Sequence, residues 1–344
     1  MILSQQLKNF SIYTNKKLLV IMLLGFSSGL PLLLTLSTLS VWLVEIGITK
    51  TTIGFFALVG LPYSLKFLWA PFMDNLKIPF FTNYLGRRRS WILLTQVLLI
   101  LSLIFLGYSN PSVDPKLTAL AALLVAFFSA SQDIVIDAFR VESLEKKFYG
   151  AGAAMIVFGY RIGMLSAGAG ALYLASFYEW SIVYILMSLQ ILIGTFAILV
   201  SREPEQGSLI DIEKKKDILK WFNNSVINPF RDFMKKGNWV IILLFVVLYK
   251  FGDALVSVVA NPFYIEMGFS KIEIANVSKI FGLIATLAGA SVLLQQQIPD
   301  ATVAHKVFAG MQLLGSVGET SMTGANYIKD NIKNSNDAHH SNVV

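Results

Sequence analysis

The segment Ala126–Glu142 reads AFFSASQDIVIDAFRVE and places four charged residues inside a strongly apolar part of the chain. A charge in the hydrocarbon core of a bilayer costs roughly 2.5 to 3.5 kcal/mol, so such residues persist where they face protein, water or a ligand. On a helix, Ser129, Asp133, Asp137 and Arg140 are spaced four, four and three residues apart and share one face. The segment predicts a membrane helix whose charged face looks into a helix bundle.

The composition of the whole chain predicts an all-α integral membrane protein. The 344 residues are 55% hydrophobic and 12% aromatic, with a mean hydropathy of +0.63, which exceeds the values of soluble proteins. Cys is absent and the three His residues all lie late in the chain, which excludes disulfides and thiolate metal sites and argues against any metal site. We therefore expect neither a metal nor another cofactor.

About 20 apolar residues span a bilayer as a helix. Eight segments of the chain meet this length, and between the sixth and seventh lies a polar stretch rich in charge. The predicted spans are Leu18–Glu45, Thr51–Phe72, Trp91–Tyr108, Leu117–Arg140, Gly150–Phe177, Trp180–Ser201, Trp239–Met267 and Ser270–Leu294.

These spans divide the chain into four predicted parts. Residues 1–201 form a six-helix transmembrane bundle, and residues 202–238 form a cytoplasmic linker. Residues 239–294 form an incomplete second bundle of two helices. Residues 295–344 are polar and rich in Asn, which predicts a disordered cytoplasmic tail.

The distribution of Lys and Arg predicts the orientation. With the N-terminus inside, the inner segments contain 18 of these residues and the outer loops contain three. Positively charged loops stay in the cytoplasm, so both termini and the linker are predicted to be cytoplasmic. This placement explains most of the net charge of +7, and binding of nucleic acid is not expected.

Several charged residues fall inside the predicted spans. A rise of about 1.5 Å per residue places Arg161, Lys250 and Asp253 near the midplane. Lys66 and Asp133 fall in the cytoplasmic halves of their spans, and Lys279 lies closer to the middle. These residues are candidates for a substrate or proton pathway.

Each candidate has a functional and a structural interpretation. Burial raises the pKa of a carboxylic acid towards the range where it can cycle, so Asp133 and Asp137 could carry a proton. Alternatively, Asp137 and Arg140 form a structural ion pair one turn apart, and Lys250 and Asp253 neutralise each other.

The sequence offers no acidic residue within one turn of Arg161. The guanidinium therefore favours either an anionic ligand or a carboxylate on another helix, such as Asp133. Trp42, Trp69 and Tyr160 could supply aromatic faces for a sugar next to it.

Small residues mark two helices. In the fifth span, Gly159, Gly163 and Ala167 begin a stripe that recurs every fourth residue and predicts close contact with a neighbouring helix. The first and second spans are interrupted by glycine and proline, which predicts broken helices near the midplane. These residues are Gly25, Gly29, Pro31, Gly60 and Pro62.

The order of helices and linker resembles the major facilitator superfamily. The loop between the second and third spans, with Asp74 followed by Gly86, Arg87, Arg88 and Arg89, is similar to the acidic-then-basic loop of that superfamily. Longer motifs resemble the AmpG muropeptide permeases and their acetyl-CoA transporter relatives. They are GFSSGLPLLL (Gly25–Leu34), LPYSLKFLWAPFMD (Leu61–Asp74), LGRRRSW (Leu85–Trp91) and SQDIVIDAFRVE (Ser131–Glu142).

This resemblance implies a secondary transporter that imports anhydromuropeptides, or another anionic sugar conjugate, across the bacterial inner membrane together with protons. It places Asp133 and Asp137 where the family has intramembrane carboxylates. It also assigns a gating role to the loop of Asp74 and Gly86 to Arg89, which Arg140 could share.

Two other classes remain open at this stage. Members of the resembled family have at least twelve spanning helices, so a shortened, non-transporting remnant or a subunit that packs against another chain is the main alternative. An intramembrane enzyme would need a matched nucleophile and base, and the sequence provides no such pair.

The charge distribution generates a first prediction. Reporter fusions after Tyr149 and within Glu213–Lys216 should report the cytoplasm, and a fusion at Asp114 should report the outside, because of the excess of basic residues on the inner side. Paired reporters that are active on opposite sides of the membrane would measure this. An outside signal from the linker would contradict the predicted orientation.

Overall fold

The computed structural model describes residues 14–79, 81–204, 227–235 and 237–281, and the regular elements in these ranges are helices. Within them, six helices are long and apolar enough to cross a membrane, in agreement with the first six predicted spans. Most of the predicted linker, the end of the eighth span and the tail lie outside the described residues. The six helices are α1 (Lys16–Glu45), α2 (Lys50–Leu68), α3 (Arg87–Tyr108), α4 (Pro115–Ser143), α5 (Lys146–Leu174) and α6 (Trp180–Val200).

Two further helices follow the linker. The helix α7 (Trp239–Glu266) is 28 residues long and matches the predicted seventh span. The helix α8 (271–281) begins as a short α-helical turn and continues as a π-helix over Ala275–Phe281. Ser270 and Glu273 form a capping box at its start, so the eighth span begins where the sequence predicts.

The close contact predicted from the small residues of α5 is confirmed, and its partner is α1. A Cβ atom on Gly159 of α5 would overlap the backbone carbonyl of Met22, and one on Gly29 of α1 would overlap the carbonyl of Tyr160. Small residues let two backbones approach to this distance. The same relation holds at two further glycines of this contact, Gly25 and Gly163.

The helix α1 is interrupted, but not at the residues that the sequence predicts. The α-helix continues through Gly25, Gly29 and Pro31 to Thr35, and the break falls at Leu36 with φ −115° and ψ −91°. The two glycines allow the contact with α5 rather than a bend. The hydroxyl of Thr35 donates to the carbonyl of Pro31 at 3.0 Å, one turn before the break.

The helix α2 is irregular, as Gly60 and Pro62 predict. A 3₁₀ segment, Ala57–Gly60, separates two short α-helices, and Pro62 lies at the start of the second one. Proline is tolerated there because its missing N–H has no partner in the first turn. A second 3₁₀ segment, Lys66–Leu68, ends α2.

The basic residues that the sequence analysis assigned to a loop belong to a helix. The helix α3 begins at Arg87, four residues before the predicted start at Trp91, so all three arginines lie in its first turn. Cations at a helix N-terminus oppose the helix dipole, and the structure offsets this with acidic partners described below.

The outward-facing surface of the helices is apolar, like their buried surface. Large apolar side chains of α3, including Val97, Leu101 and Phe105, are exposed on one face. Inward-facing residues such as Leu99 and Leu103 are fully buried. In water an exposed apolar surface of this kind would promote aggregation, so the exposed face is a lipid-facing surface.

The α1–α5 contact generates a second prediction. Gly159→Ala should lower the free energy of unfolding by about 1–3 kcal/mol, because the added methyl group forces two backbones apart. Gly170→Ala is the matched control on α5, since the nearest atom to the added methyl group, Oγ of Ser166, would lie at 3.6 Å, an ordinary contact. Thermal unfolding of the purified protein in detergent measures both. Equal transition temperatures for the two variants would contradict the close packing.

Candidate functional site

Asp133 of α4 lies in a partly buried polar cluster. Its carboxylate accepts a hydrogen bond from the hydroxyl of Ser28 in α1, and its Oδ2 lies 4.0 Å from Nζ of Lys66 in α2. We call these three residues the Asp133 cluster. Its members come from three helices, so a change in the charge of Asp133 acts directly on the packing of α1, α2 and α4.

The surroundings of the cluster hold it in place. Trp69, just after α2, donates its indole N–H to the hydroxyl of Ser131 on α4 at 3.0 Å. Its ring packs on Phe127 with a centroid distance of 5.0 Å. Trp69 therefore fixes α2 against α4 next to Lys66 and Asp133.

Asp137 and Arg140 form the ion pair that the sequence analysis gave as the structural interpretation. Arg140 Nη2 lies 3.2 Å from Asp137 Oδ1, and both side chains are more exposed than Asp133. The pair follows α4 towards the end predicted to be cytoplasmic. Asp133, rather than Asp137, is thus the more buried carboxylate of the charged face.

Arg161 and Tyr160 lie on α5 beside its contact with α1. The backbone carbonyl of Tyr160 faces Gly29, while Nη1 of Arg161 lies 4.0 Å from the sulfur of Met164. Both side chains are partly buried. The structure therefore places Arg161 at the edge of the tightest helix contact in the first six helices.

Trp42 is buried at the opposite end of the bundle from the three arginines. Its ring stacks on Trp180 at a centroid distance of 5.8 Å and lies 5.4 Å from the ring of Tyr184. A sugar could reach Trp42 only after this stack opens. For Lys250 and Asp253, the structure describes the helix backbone of α7 alone.

An ionic cluster joins the start of α3 to the end of α4. The guanidinium of Arg88, whose side chain is 6% exposed, contacts both carboxylate oxygens of Glu142 at 2.5 to 3.1 Å. Its Nη1 also donates to Asp74 Oδ1 at 2.7 Å. We call Asp74, Arg88 and Glu142 the inner ionic cluster. It includes two residues of the predicted gating loop and adds Glu142.

Arg89 and Glu203 link the start of α3 to the end of α6. The carboxylate of Glu203, beyond α6, accepts hydrogen bonds from the backbone N–H groups of Arg88 and Arg89 at 2.8 and 3.1 Å. The side chain of Arg89 donates to the carbonyls of Ile198 and Leu199 at 3.1 and 3.0 Å. An anion thus caps the N-terminus of α3 and a cation caps the C-terminus of α6.

Gly86 permits this arrangement. It has φ +89°, a conformation that favours glycine, and a Cβ there would overlap the side chain of Glu203. The sequence marks Gly86 but not Glu203, because nothing in the neighbourhood of Glu203 identifies it as the cap of a distant helix.

A second cluster joins the first six helices to α8 at the end predicted to be outside. Lys271 contacts Glu45 at 2.7 Å, and Glu45 accepts the indole N–H of Trp180 at 2.8 Å. We call Glu45, Trp180 and Lys271 the outer cluster. Nearby, Lys50 pairs with Glu266 of α7 at 2.9 Å. The sequence analysis missed these contacts, although opposite charges at the ends of predicted spans were their signal.

No group of three His, Asp or Glu side chains that could hold a metal ion occurs in the described ranges. The arrangement provides instead a carboxylate between a hydroxyl and an ammonium group, and ionic contacts near both ends of the helices. Such groups can take up a proton and can hold helix ends together, and neither task needs a bound cofactor.

Comparison with known proteins identifies the family. The family model of the Major Facilitator Superfamily matches residues 13–318. The chain belongs to this superfamily. Membership confirms the predicted helical transporter fold and the prediction that the protein is not an enzyme.

Known members support the predicted resemblance to AmpG. A putative transporter AmpG 4 of Rickettsia felis is 43% identical over 285 residues, which cover 81% of this chain and 67% of that protein. The anhydromuropeptide permease of Escherichia coli K12 is 41% identical over 281 residues, which cover 81% of this chain and 55% of the permease. A putative transporter AmpG 1 of Rickettsia bellii is 30% identical over 334 residues. The resemblance to AmpG-type permeases is thereby confirmed.

The inner ionic cluster generates a third prediction. Glu142→Ala should destabilise the protein by about 3–5 kcal/mol, because it leaves the buried guanidinium of Arg88 without its bidentate partner. Glu145→Ala is the control: Glu145 pairs with Lys147 at 2.7 Å, but both side chains are 66% exposed. Thermal unfolding in detergent should show a large shift for Glu142→Ala alone. Equal shifts would contradict a structural role for the cluster.

Proposed function

We propose that the protein imports anhydromuropeptides, products of cell-wall turnover, across the bacterial inner membrane together with protons. The observation that carries the proposal is the 41% identity with the anhydromuropeptide permease of Escherichia coli over 81% of the chain. The relatives' names favour a transporter over the alternative of a non-transporting remnant or subunit. This chain spans 67% and 55% of the two relatives, so the complete activity belongs to the proposal.

The orientation and the parts of the chain belong to the same proposal. Both termini and the linker lie in the cytoplasm, with a six-helix bundle at residues 1–201 and a cytoplasmic segment at residues 202–238. Residues 239–294 contribute to a second bundle, and residues 295–344 form the C-terminal tail. The basic residues of the loops support this orientation.

Asp133 is the proposed proton carrier. The ionised carboxylate is stabilised by the hydroxyl of Ser28 and by the charge of Lys66 at 4.0 Å. Protonation removes the attraction between Asp133 and Lys66, so the ammonium group of Lys66 then favours another anion or water. Proton uptake at Asp133 would thus alter the contact of α2 with α4.

Arg161 is the proposed contact for the anionic substrate. A muropeptide combines sugar rings with carboxylates, and a guanidinium binds a carboxylate through two parallel hydrogen bonds. Tyr160 next to Arg161 could offer a ring face to a sugar. The same chemistry would accept another anionic sugar conjugate, so competing ligands belong in the transport assay.

Contacts between the two bundles support alternating access. Such transporters rock one bundle against the other around a site between them. The outer cluster and the pair of Lys50 with Glu266 join α1 and α2 to α7 and α8 at one end. We propose that these contacts close the outer end and separate when the substrate enters from the periplasm.

The fourth prediction concerns Asp133 and Arg161. Asp133→Asn should weaken the dependence of uptake on pH, because an amide does not titrate. Arg161→Ala should abolish uptake of the anionic muropeptide. Uptake of labelled anhydromuropeptide at several pH values, in cells that lack their own permease, measures both. Glu145→Gln is the exposed control and should behave like the parent protein.

Protein level must be measured in the same cells, since a stranded buried charge can cost about 3–5 kcal/mol and lower the amount of folded protein. Parent-like uptake by Arg161→Ala would disprove the ligand role. A parent-like pH profile for Asp133→Asn would disprove the proton role. If the parent protein shows no uptake, the proposed function of this chain is wrong.

A further inference from the structure

Three irregular stretches of backbone meet between the first six helices and α8. They are the break of α1 at Leu36, the π-helix Ser166–Gly170 in α5 and the π-helix Ala275–Phe281 in α8. The hydroxyl of Thr38, just beyond the break, donates to the carbonyl of Ala167 in the second stretch at 2.8 Å. π-Helices occur frequently at functional sites, and irregular backbone at membrane depth is tolerated where protein or a water-filled cavity surrounds it.

Lys279 lies where these three stretches meet. Its stem runs beside Gly168, where an added Cβ would contact Cδ of the lysine at 3.4 Å. Its Nζ lies 3.5 Å from the hydroxyl of Ser37, at the start of the second part of α1. We call Ser37, Gly168 and Lys279 the Lys279 junction. It connects α1 and α5 of the first bundle with α8.

The charge of Lys279 is poorly balanced by the described residues. Among the side chains that the structure describes, which do not include that of Asp253, Lys279 has no ion pair, and its one recorded hydrogen bond is the long contact with Ser37. A distance of 3.5 Å marks a weak hydrogen bond. The residue lies about 12 Å along α8 from Lys271, well inside a hydrocarbon core about 30 Å thick.

The surrounding polar groups do not neutralise the positive charge of Lys279. The backbone carbonyl of Ser37 already accepts the side-chain amide of Asn261 at 2.7 Å, and Asn276 accepts the hydroxyl of Tyr173. These neutral contacts hold the bundles together and leave the positive charge in place. An ionised residue at membrane depth that has no acidic partner among the described side chains is typical of a functional site.

We propose that Lys279 binds a carboxylate of the transported ligand at the junction between the two bundles. The inference rests on the proposed function and deepens it, because it requires an anionic substrate. An ammonium group is a compact charge that accepts a carboxylate from several directions. Because Gly168 has no side chain, the stem of Lys279 lies close to the backbone of α5.

Arg161 extends the same site. It precedes Gly168 by seven residues on α5, which places the two on one face of the helix and about 10 Å apart along its axis. A ligand that contacts both Arg161 and Lys279 must therefore carry two acidic groups, or one acidic group with a polar neighbour, at a comparable separation. A peptide attached to an acidic sugar meets this requirement.

The experiment compares a carboxylate ligand with its amide. An anhydromuramyl tripeptide and the carboxamide form of the same compound are titrated into the purified full-length chain by calorimetry. The parent protein should bind the carboxylate more tightly. Lys279→Gln should weaken binding of the carboxylate by about ten- to a hundredfold and leave binding of the amide nearly unchanged.

Two variants separate a ligand contact from a structural role. Lys279→Arg should keep most of the preference for the carboxylate, and Lys116→Gln, an exposed control, should bind like the parent. Because the chain contains no cysteine, Lys279→Cys offers one reactive thiol. Attachment of an aminoethyl group to it should restore the preference, and attachment of a methyl group should not.

Four results would overturn the inference. Lys279→Gln could keep the full preference for the carboxylate, or the aminoethyl group could fail to restore it. In addition, Lys279→Gln combined with Asp253→Asn could recover parent-like binding, which would make Lys279 the partner of Asp253. If the parent binds neither tripeptide, the proposed substrate is wrong. In that case the binding of N-acetylmuramate is compared with that of its amide. Equal binding of the two compounds would contradict a carboxylate site at Lys279.

Discussion

The direct backbone contact between α1 and α5 is the constraint on which the other features depend. At Gly29 and Gly159 the opposing carbonyl occupies the space of a side chain, so neither helix can rotate without a clash. The contact therefore fixes which faces of α1 and α5 point towards the second bundle. On α1 that orientation presents Ser28 to Asp133, and on α5 it sets the position of Arg161 relative to Gly168.

The ionic contacts at the inner end of the helices differ from those at the outer end. The inner ionic cluster is confined to the first bundle and satisfies the buried guanidinium of Arg88 almost completely. The outer contacts cross between the first six helices and α7 and α8, and the pair of Lys50 with Glu266 beside the outer cluster is the exposed one: the two side chains are 77% and 43% exposed. Exposed ion pairs contribute little stability and break readily. A strong contact within the first six helices and weaker contacts to α7 and α8 agree with the proposed alternating access, in which these two groups of helices move against each other.

Much of the fold could be predicted from the sequence because the bilayer imposes a simple rule. Length and apolarity placed the first six spans within a few residues of the helices, and the small residues of α5 predicted a close contact with a neighbouring helix, which the structure shows to be α1. Features that depend on partners far along the chain could not be predicted. Glu203 caps a helix more than 100 residues away, and the break of α1 falls at Leu36, several residues beyond Gly25 and Pro31.

The same distinction applies to the candidate site. Sequence patterns marked Asp133 as a buried carboxylate, but its neighbours Ser28 and Lys66 emerge only once three helices are packed together. The π-helices have no reliable sequence signature, yet they determine where α5 and α8 can approach. A π-turn shifts the register of the residues that follow it, so Lys279 reaches Gly168 and Ser37 through the local geometry of α8. The neighbours of a charged residue such as Lys279 therefore depend on the local geometry of the backbone. The identity of the residue alone does not predict them.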